Sequence, residues 1–139
     1  MHMKKSIYIL ALIFCMGPKI QSQENSFLYE NNKILPAEEV FKINVSQTEN
    51  KIVIEWDIKD KYYLYSDSIK INRNNNTVEY VLLKSDKHKI EDEFFGKTEI
   101  YKNFLSIYVD NNENLSNYVI LYQGCAEAGF CYPVQKYFL

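Results

Sequence analysis

Tyr122-Gln-Gly-Cys-Ala-Glu-Ala-Gly-Phe-Cys-Tyr-Pro133 sets Cys125 and Cys131 at the two ends of a five-residue connection that contains Gly129. A strand-like run, Tyr118-Val-Ile-Leu121, precedes it and Val134-Gln-Lys-Tyr-Phe138 follows, so the cysteines are expected near the inner ends of a β-hairpin. Facing residues on paired strands have Cβ atoms roughly 4.5 to 5.5 Å apart, which brings a cross-hairpin disulfide within geometric reach. As a staple such a bond is weak. On the chain-entropy account a ring of about seven residues constrains the unfolded chain by roughly 2.4 kcal/mol, against about 4.7 kcal/mol for a ring of a hundred. Three readings of the pair stand at this point: a structural disulfide, a redox-active couple and a metal site. Cys-x5-Cys is not a zinc spacing, and only His2 and His88 could add imidazole, so the metal reading has the least behind it.

The 139 residues fit one domain of ordinary size, able to bury a core without help from disulfides. With 47% hydrophobic residues, 12 Tyr and 8 Phe against only 4 Gly and 3 Pro, the composition is that of a folded β-rich domain, not a disordered or collagenous chain. Lys4 and Lys5 precede an apolar run, Ile7-Tyr-Ile-Leu-Ala-Leu-Ile-Phe-Cys-Met16, of signal-peptide length. It is too short to span a bilayer. Residues 1–22 are therefore expected to be a signal peptide cleaved near Ser22, and 23–139 the mature, exported domain. Bulky Phe14 ahead of Cys15 argues against a lipoprotein site. Removal of residues 1–22 takes away Lys4, Lys5 and Lys19 and no acid, so the formal charge of −2 becomes −5, which argues against nucleic acid as a partner. The same cut leaves Cys125 and Cys131 as the only cysteines, in a compartment where pairs are normally oxidised.

Along the mature chain, residues 23–38 are a polar, irregular lead-in, with Pro36 ahead of a short Ala37–Val40 segment. Phe41–Val45 alternates, and Lys51–Ile58 alternates more clearly, placing Ile52, Ile54, Trp56 and Ile58 on one face, with Trp56 as a core anchor. After a turn at Lys59-Asp-Lys61 come a strand pair, Tyr62–Tyr65, where Tyr63 and Tyr65 share a face, with Ser68–Asn72, and then a strand at Thr77–Leu83. Ile90-Glu-Asp-Glu-Phe-Phe-Gly-Lys97 follows neither a strand nor a helix period and reads as a loop. Phe104–Val109 resumes alternation with Leu105, Ile107 and Val109 inward. Short strands at this spacing, with polar turns and no helical period, predict an all-β fold: an immunoglobulin-like antiparallel β-sandwich.

Three blocks taken together carry a resemblance: Trp56-Asp-Ile-Lys-Asp-Lys-Tyr-Tyr-Leu-Tyr65, Glu91-Asp-Glu-Phe-Phe-Gly-Lys-Thr-Glu-Ile-Tyr101, and the cysteine stretch itself. In the same order, from about Val40 to Leu139, the sequence resembles the N-terminal periplasmic domain of the thiol:disulfide interchange protein DsbD. The resemblance implies an immunoglobulin-like fold and a periplasmic location. It implies that Cys125 and Cys131 form a reversible redox couple relaying reducing equivalents, in the manner of a protein-disulfide reductase, without a bound cofactor or metal. The implied partners are thioredoxin-like redox proteins, as electron donor and as periplasmic acceptors, with a DsbD-type membrane domain as a further candidate. Asp92, Glu93, Phe94, Phe95 and Gly96 would form a cap loop over the couple, with Phe94 as screen and the two acids raising the thiol pKa. Tyr63 and Tyr65 would flank the site. The sequence departs from the family at Lys61, where Gly is usual, and at Val134, where a second Pro is common. DsbD also continues into membrane helices and a thioredoxin-like domain, so the expectation is a fragment or a self-standing relative. The competing reading is a non-enzymatic β-sandwich interaction module with a structural hairpin disulfide.

Overall fold

The computed structural model of the chain describes residues 34–93, 95–111 and 115–139. The expected signal peptide, the cleavage site near Ser22 and Phe94 lie outside the described residues. A single helical turn, α1 (Ala37–Val40), leads into β1 (Phe41–Gln47) and β2 (Lys51–Ile58). There follow β3 (Tyr62–Tyr65), β4 (Lys70–Arg73), β5 (Asn76–Val78), β6 (Val81–Asp92) and β7 (Gly96–Asp110), then β8 (Tyr118–Tyr122), β9 (Gly124–Ala126), β10 (Phe130–Cys131) and β11 (Gln135–Phe138). Seven of these strands form one sheet in the order β1-β2-β7-β3-β9-β10, with β6 also paired to β7, and four form a second in the order β11-β8-β4-β5. Pairing is antiparallel throughout the described residues. The expected all-β, immunoglobulin-like sandwich is what the chain forms.

The sandwich core follows from the alternation. Ile52, Ile54, Trp56 and Ile58 of β2 and Leu105, Ile107 and Val109 of β7 all point inward and are buried, meeting Ile71, Tyr118, Ile120 and Tyr122 of the four-stranded sheet. Trp56 is the anchor, 1% exposed and edge-on to the Tyr122 ring at 6.0 Å. Strand β3 divides two environments. Leu64 enters the sandwich core, whereas Tyr63 and Tyr65 point to the opposite face of the seven-stranded sheet and form a second cluster with Ile100 and Cys125.

Three readings of the sequence differ from the structure. Tyr62–Tyr65 and Ser68–Asn72 do not pair with each other: a 3-10 turn at Ser66–Ser68 carries the chain from β3 in the seven-stranded sheet to β4, starting at Lys70, in the four-stranded one. Ile90–Lys97 is not a loop: β6 runs on to Asp92 and β7 starts at Gly96, leaving only a tight turn between two long paired strands. The pattern was silent because β6 is paired on one side only and has no buried residue, so nothing imposes alternation on it. Thr77–Leu83 is not one strand but parts of β5 and β6, broken at Glu79 and Tyr80. The expected hairpin is present in a more divided form. Its outer arms, β8 and β11, pair in the four-stranded sheet, while β9 crosses to pair with β3 in the other.

Candidate functional site

Cys125 and Cys131 face each other directly in the β9–β10 pair, with Cα atoms 4.0 Å apart and the sulfurs bonded. The turn between them is closed by the Gly129 N–H donating to the Ala126 carbonyl, with Gly129 at φ 92, in the left-handed region that glycine enters without penalty. The two sulfurs are not equivalent. Cys125 is 0% exposed, held between β3 and the second cluster, whereas Cys131 is partly exposed and lines an open cleft of about 410 Å3.

The β3 tyrosines back the buried sulfur. Cys125 pairs with Tyr63 in the β3–β9 ladder, and the Tyr65 hydroxyl oxygen lies 3.3 Å from Cys125 Sγ. In the disulfide that sulfur has no proton to give; in the dithiol, the Cys125 S–H has an acceptor already in place. The Tyr65 hydroxyl donates to Asp92 Oδ2 at 2.7 Å, and the Tyr63 hydroxyl donates to the same oxygen at 3.2 Å. Burial, reinforced by the carboxylate, pushes the Tyr65 phenol far above its ordinary range. Burial also raises Tyr63, against an opposing hydrogen bond with Tyr65. Both phenols thus remain donors at neutral pH.

Asp92 ties this layer to the turn above it. Its other oxygen, Oδ1, accepts the Phe95 N–H at 3.0 Å, a side-chain-to-backbone bond that closes the Asp92–Gly96 turn locally. The Phe95 ring then lies edge-on to Tyr65, 4.7 Å between centroids, and remains largely exposed on its other side. Gly96, at φ 69, ends the turn. Glu93 is exposed and lines the cleft beside Cys131. Of the residues expected in the site, Tyr63, Asp92 and Glu93 line the cleft with Cys131, Tyr65 meets Cys125, Phe95 reaches the disulfide only through Tyr65, and Gly96 ends the turn. The aromatic seen covering Tyr65 is Phe95. Phe94 is not among the described residues.

Sequence reading missed Ile90 and Ile100, which pack against the tyrosine cluster, and an ion pair between Lys102 and Glu127 at the edge of the cleft. A signal for two of them exists. In β7, Asn103 and Phe104 are extra residues relative to β6, and an insertion of two preserves the alternation. Continued backward from Leu105, that alternation puts Tyr101 in the core and Ile100 and Lys102 on the opposite face. Among the described residues, no group of three or more His, Cys, Asp or Glu side chains comes together as a metal site.

A family model described as the N-terminal part of the thiol:disulfide interchange protein DsbD matches residues 31–139. The DsbD proteins of Cronobacter sakazakii and Photorhabdus laumondii are 36% and 35% identical to the chain, each over 94% of its length. The chain spans only 23% of those relatives. Among solved structures, the reduced N-terminal domain of Neisseria meningitidis DsbD superposes with a TM-score of 0.65 at 26% identity, covering 76% of this chain and 89% of that one. The complex of the DsbD and PilB N-terminal domains from the same organism matches with a TM-score of 0.58 at 29% identity, over 77% of this chain and 88% of that one.

Proposed function

The chain belongs to the family of DsbD N-terminal domains, and from that premise we propose that it relays reducing equivalents in the periplasm through a reversible Cys125–Cys131 disulfide. Its partners on this reading are thioredoxin-like proteins, one kind donating electrons and another accepting them, and a DsbD-type membrane domain is a candidate neighbour. The observation that carries the reading is the inequality of the two sulfurs, one open on a cleft and the other buried against a phenol.

Thiol–disulfide exchange needs such an inequality. A donor's thiolate attacks Cys131 Sγ, forming a mixed disulfide and releasing Cys125 as a thiolate, which takes up a proton. The donor's second thiolate then attacks its own sulfur in that mixed disulfide, releasing Cys131, and the donor leaves oxidised. Two electrons have moved. In delivery the order is reversed: Cys131 thiolate attacks an acceptor's disulfide, and Cys125 then attacks Cys131 Sγ to release the acceptor as a dithiol. The Asp92–Gly96 turn, anchored through Asp92 and carrying Phe95 over Tyr65, acts as the cap that limits access by small thiols. Phe94 shares that role on the resemblance alone. Phe95 borders a second cleft, of about 360 Å3, with Leu121 and Val134, which leaves room for a docking partner to displace the cap. The Neisseria DsbD domain's complex with a PilB domain supports a protein as the thing that docks.

Trapping tests the assignment. Cys125→Ser, with Cys131 free, is expected to accumulate a covalent complex with a thioredoxin-like partner that lacks its own resolving cysteine, and Cys131→Ser is expected to accumulate far less. Non-reducing gels read the result. Dominance of Cys131→Ser would exchange the roles of the sulfurs, and no complex from either variant would return the disulfide to a structural role.

A further inference from the structure

The cleft beside Cys131 is acidic except at one point. Glu91, Asp92, Glu93 and Glu127 line it, Tyr63 forms part of its wall, and Lys102 is its only cation among the described residues. Asp92 is engaged by the two tyrosine hydroxyls and the Phe95 N–H. Lys102 Nζ is paired with Glu127 Oε1. That pair joins β7 to the connection between the two cysteines, and the Glu127 N–H donates to the Lys61 carbonyl at 2.8 Å, fixing the backbone from which the carboxylate reaches. Lys102 lies on this face by the alternation of β7, which the two-residue bulge at Asn103 and Phe104 preserves, and the Asn103 side-chain amide, donating to Asp86 Oδ2 at 2.7 Å, ties that bulge to β6.

The side chains of Lys102 and Glu127 are 33% and 45% exposed, and an ion pair so open to water contributes little to stability. Its location matters more than its strength. Two steps of the exchange proposed above make or consume a thiolate at Cys131, its release from the donor's mixed disulfide and its attack on the acceptor's disulfide, and the neighbouring carboxylates oppose that charge. We propose that Lys102 sets the charge felt by the Cys131 sulfur, as a positioning residue held in place and partly neutralised by Glu127. The inference rests on the exchange reading for its purpose, but not for its measurement. An ammonium at the cleft favours Cys131 both as attacking thiolate and as leaving group, and Glu127 keeps that effect moderate.

The two halves of the pair should then act in opposite directions. In the reduced full-length chain, the pH dependence of Cys131 alkylation by iodoacetamide is followed residue by residue by peptide mass spectrometry. Lys102→Gln is expected to raise the pKa of Cys131 and slow its alkylation at pH 7 about threefold, the effect of half a pKa unit on the thiolate fraction. Glu127→Gln is expected to lower the pKa and speed alkylation by about the same factor, and Lys102→Arg to match the wild type. A structural bridge would behave otherwise: both neutral variants would lower the urea midpoint and shift alkylation the same way. That result, or a Cys131 profile unchanged in Lys102→Gln, overturns the proposal. Alkylation needs no partner. Opposite shifts in a protein that fails to exchange with thioredoxin-like proteins would uphold the charge assignment while removing the redox function.

Discussion

Lys61 occupies a backbone conformation, φ 68, in which a side chain is crowded and glycine is not. Its carbonyl nevertheless accepts the Glu127 N–H, so the turn before β3 is tied to the turn between the cysteines and cannot relax independently. Lys61→Gly is expected to stabilise the domain by about 1 kcal/mol, the relief of left-handed strain less the added freedom of the unfolded chain. Urea unfolding measures it, and an unchanged or lower midpoint would mean that the turn bears no strain. This position also shows how far single residues can be read. The resemblance marked Lys61 as a departure from Gly, and the positive φ supplies the reason. The hairpin placement of Cys125 and Cys131 and the shared face of Tyr63 and Tyr65 were legible because spacing and alternation are local, whereas their joining in one site came only from the resemblance. Alternation continued back from Leu105 gives the face of Lys102, but its pairing with Glu127 was not legible, since it depends on β7 and the cysteine connection being brought together.

At the scale of elements, burial on one face decided what could be read. Strand β2 and the second half of β7 alternate because one side of each meets the sandwich core, and their inward residues were identifiable from the pattern. The β6–β7 hairpin, which carries the Asp92–Gly96 turn, was hidden because β6 is an edge strand held by its ladder and not by a buried face. The crossing from β8 to β9 was hidden for another reason: it depends on how closely two backbones approach. Gly124 faces Leu64 across the β3–β9 ladder, and a Cβ there would press on the Tyr63 carbonyl oxygen and come within 2.5 Å of the Phe41 ring. Neither neighbour can give way, one being backbone and the other a buried ring in contact with Tyr62, Tyr122 and Tyr132. Gly124→Ala is expected to destabilise the domain by about 3 kcal/mol, at the upper end of overpacking effects, and to loosen β9 from β3. The same urea measurement, with amide exchange of β9 as a local readout, checks it. A loss well under 1 kcal/mol would show that the strands can separate without harm.

At the scale of the molecule, two apolar clusters among the described residues lie on opposite faces of one sheet. The larger lies between the sheets and includes neither cysteine; the smaller contains Cys125, and the Phe95 ring lies against its Tyr65. The sandwich was legible from short strands at regular spacing, but this division was not, because it requires knowing that β3 stands between β7 and β9. Tyrosines occupy both clusters and give the molecule an alkaline limit. Burial pushes Tyr122 and Tyr132 of the sandwich core up to about 12, with smaller contributions from Glu38 and Tyr62 respectively. It also raises Tyr63 and Tyr65 beside the disulfide, where Asp92 adds to the effect. In the unfolded chain these phenols titrate near 10. Below that pH both states hold the protons and the tyrosines add no pH dependence. Above it, the unfolded state binds fewer protons than the folded one, so stability falls as pH rises, and continues to fall until the folded-state values are passed. The urea midpoint is accordingly expected to be level through pH 8 to 9 and to drop steadily between about 10 and 12. Tyr122→Phe, which removes one ionising group from the core while keeping the ring, is expected to make that drop shallower. An equally steep drop in the variant would show that Tyr122 does not contribute to the alkaline limit.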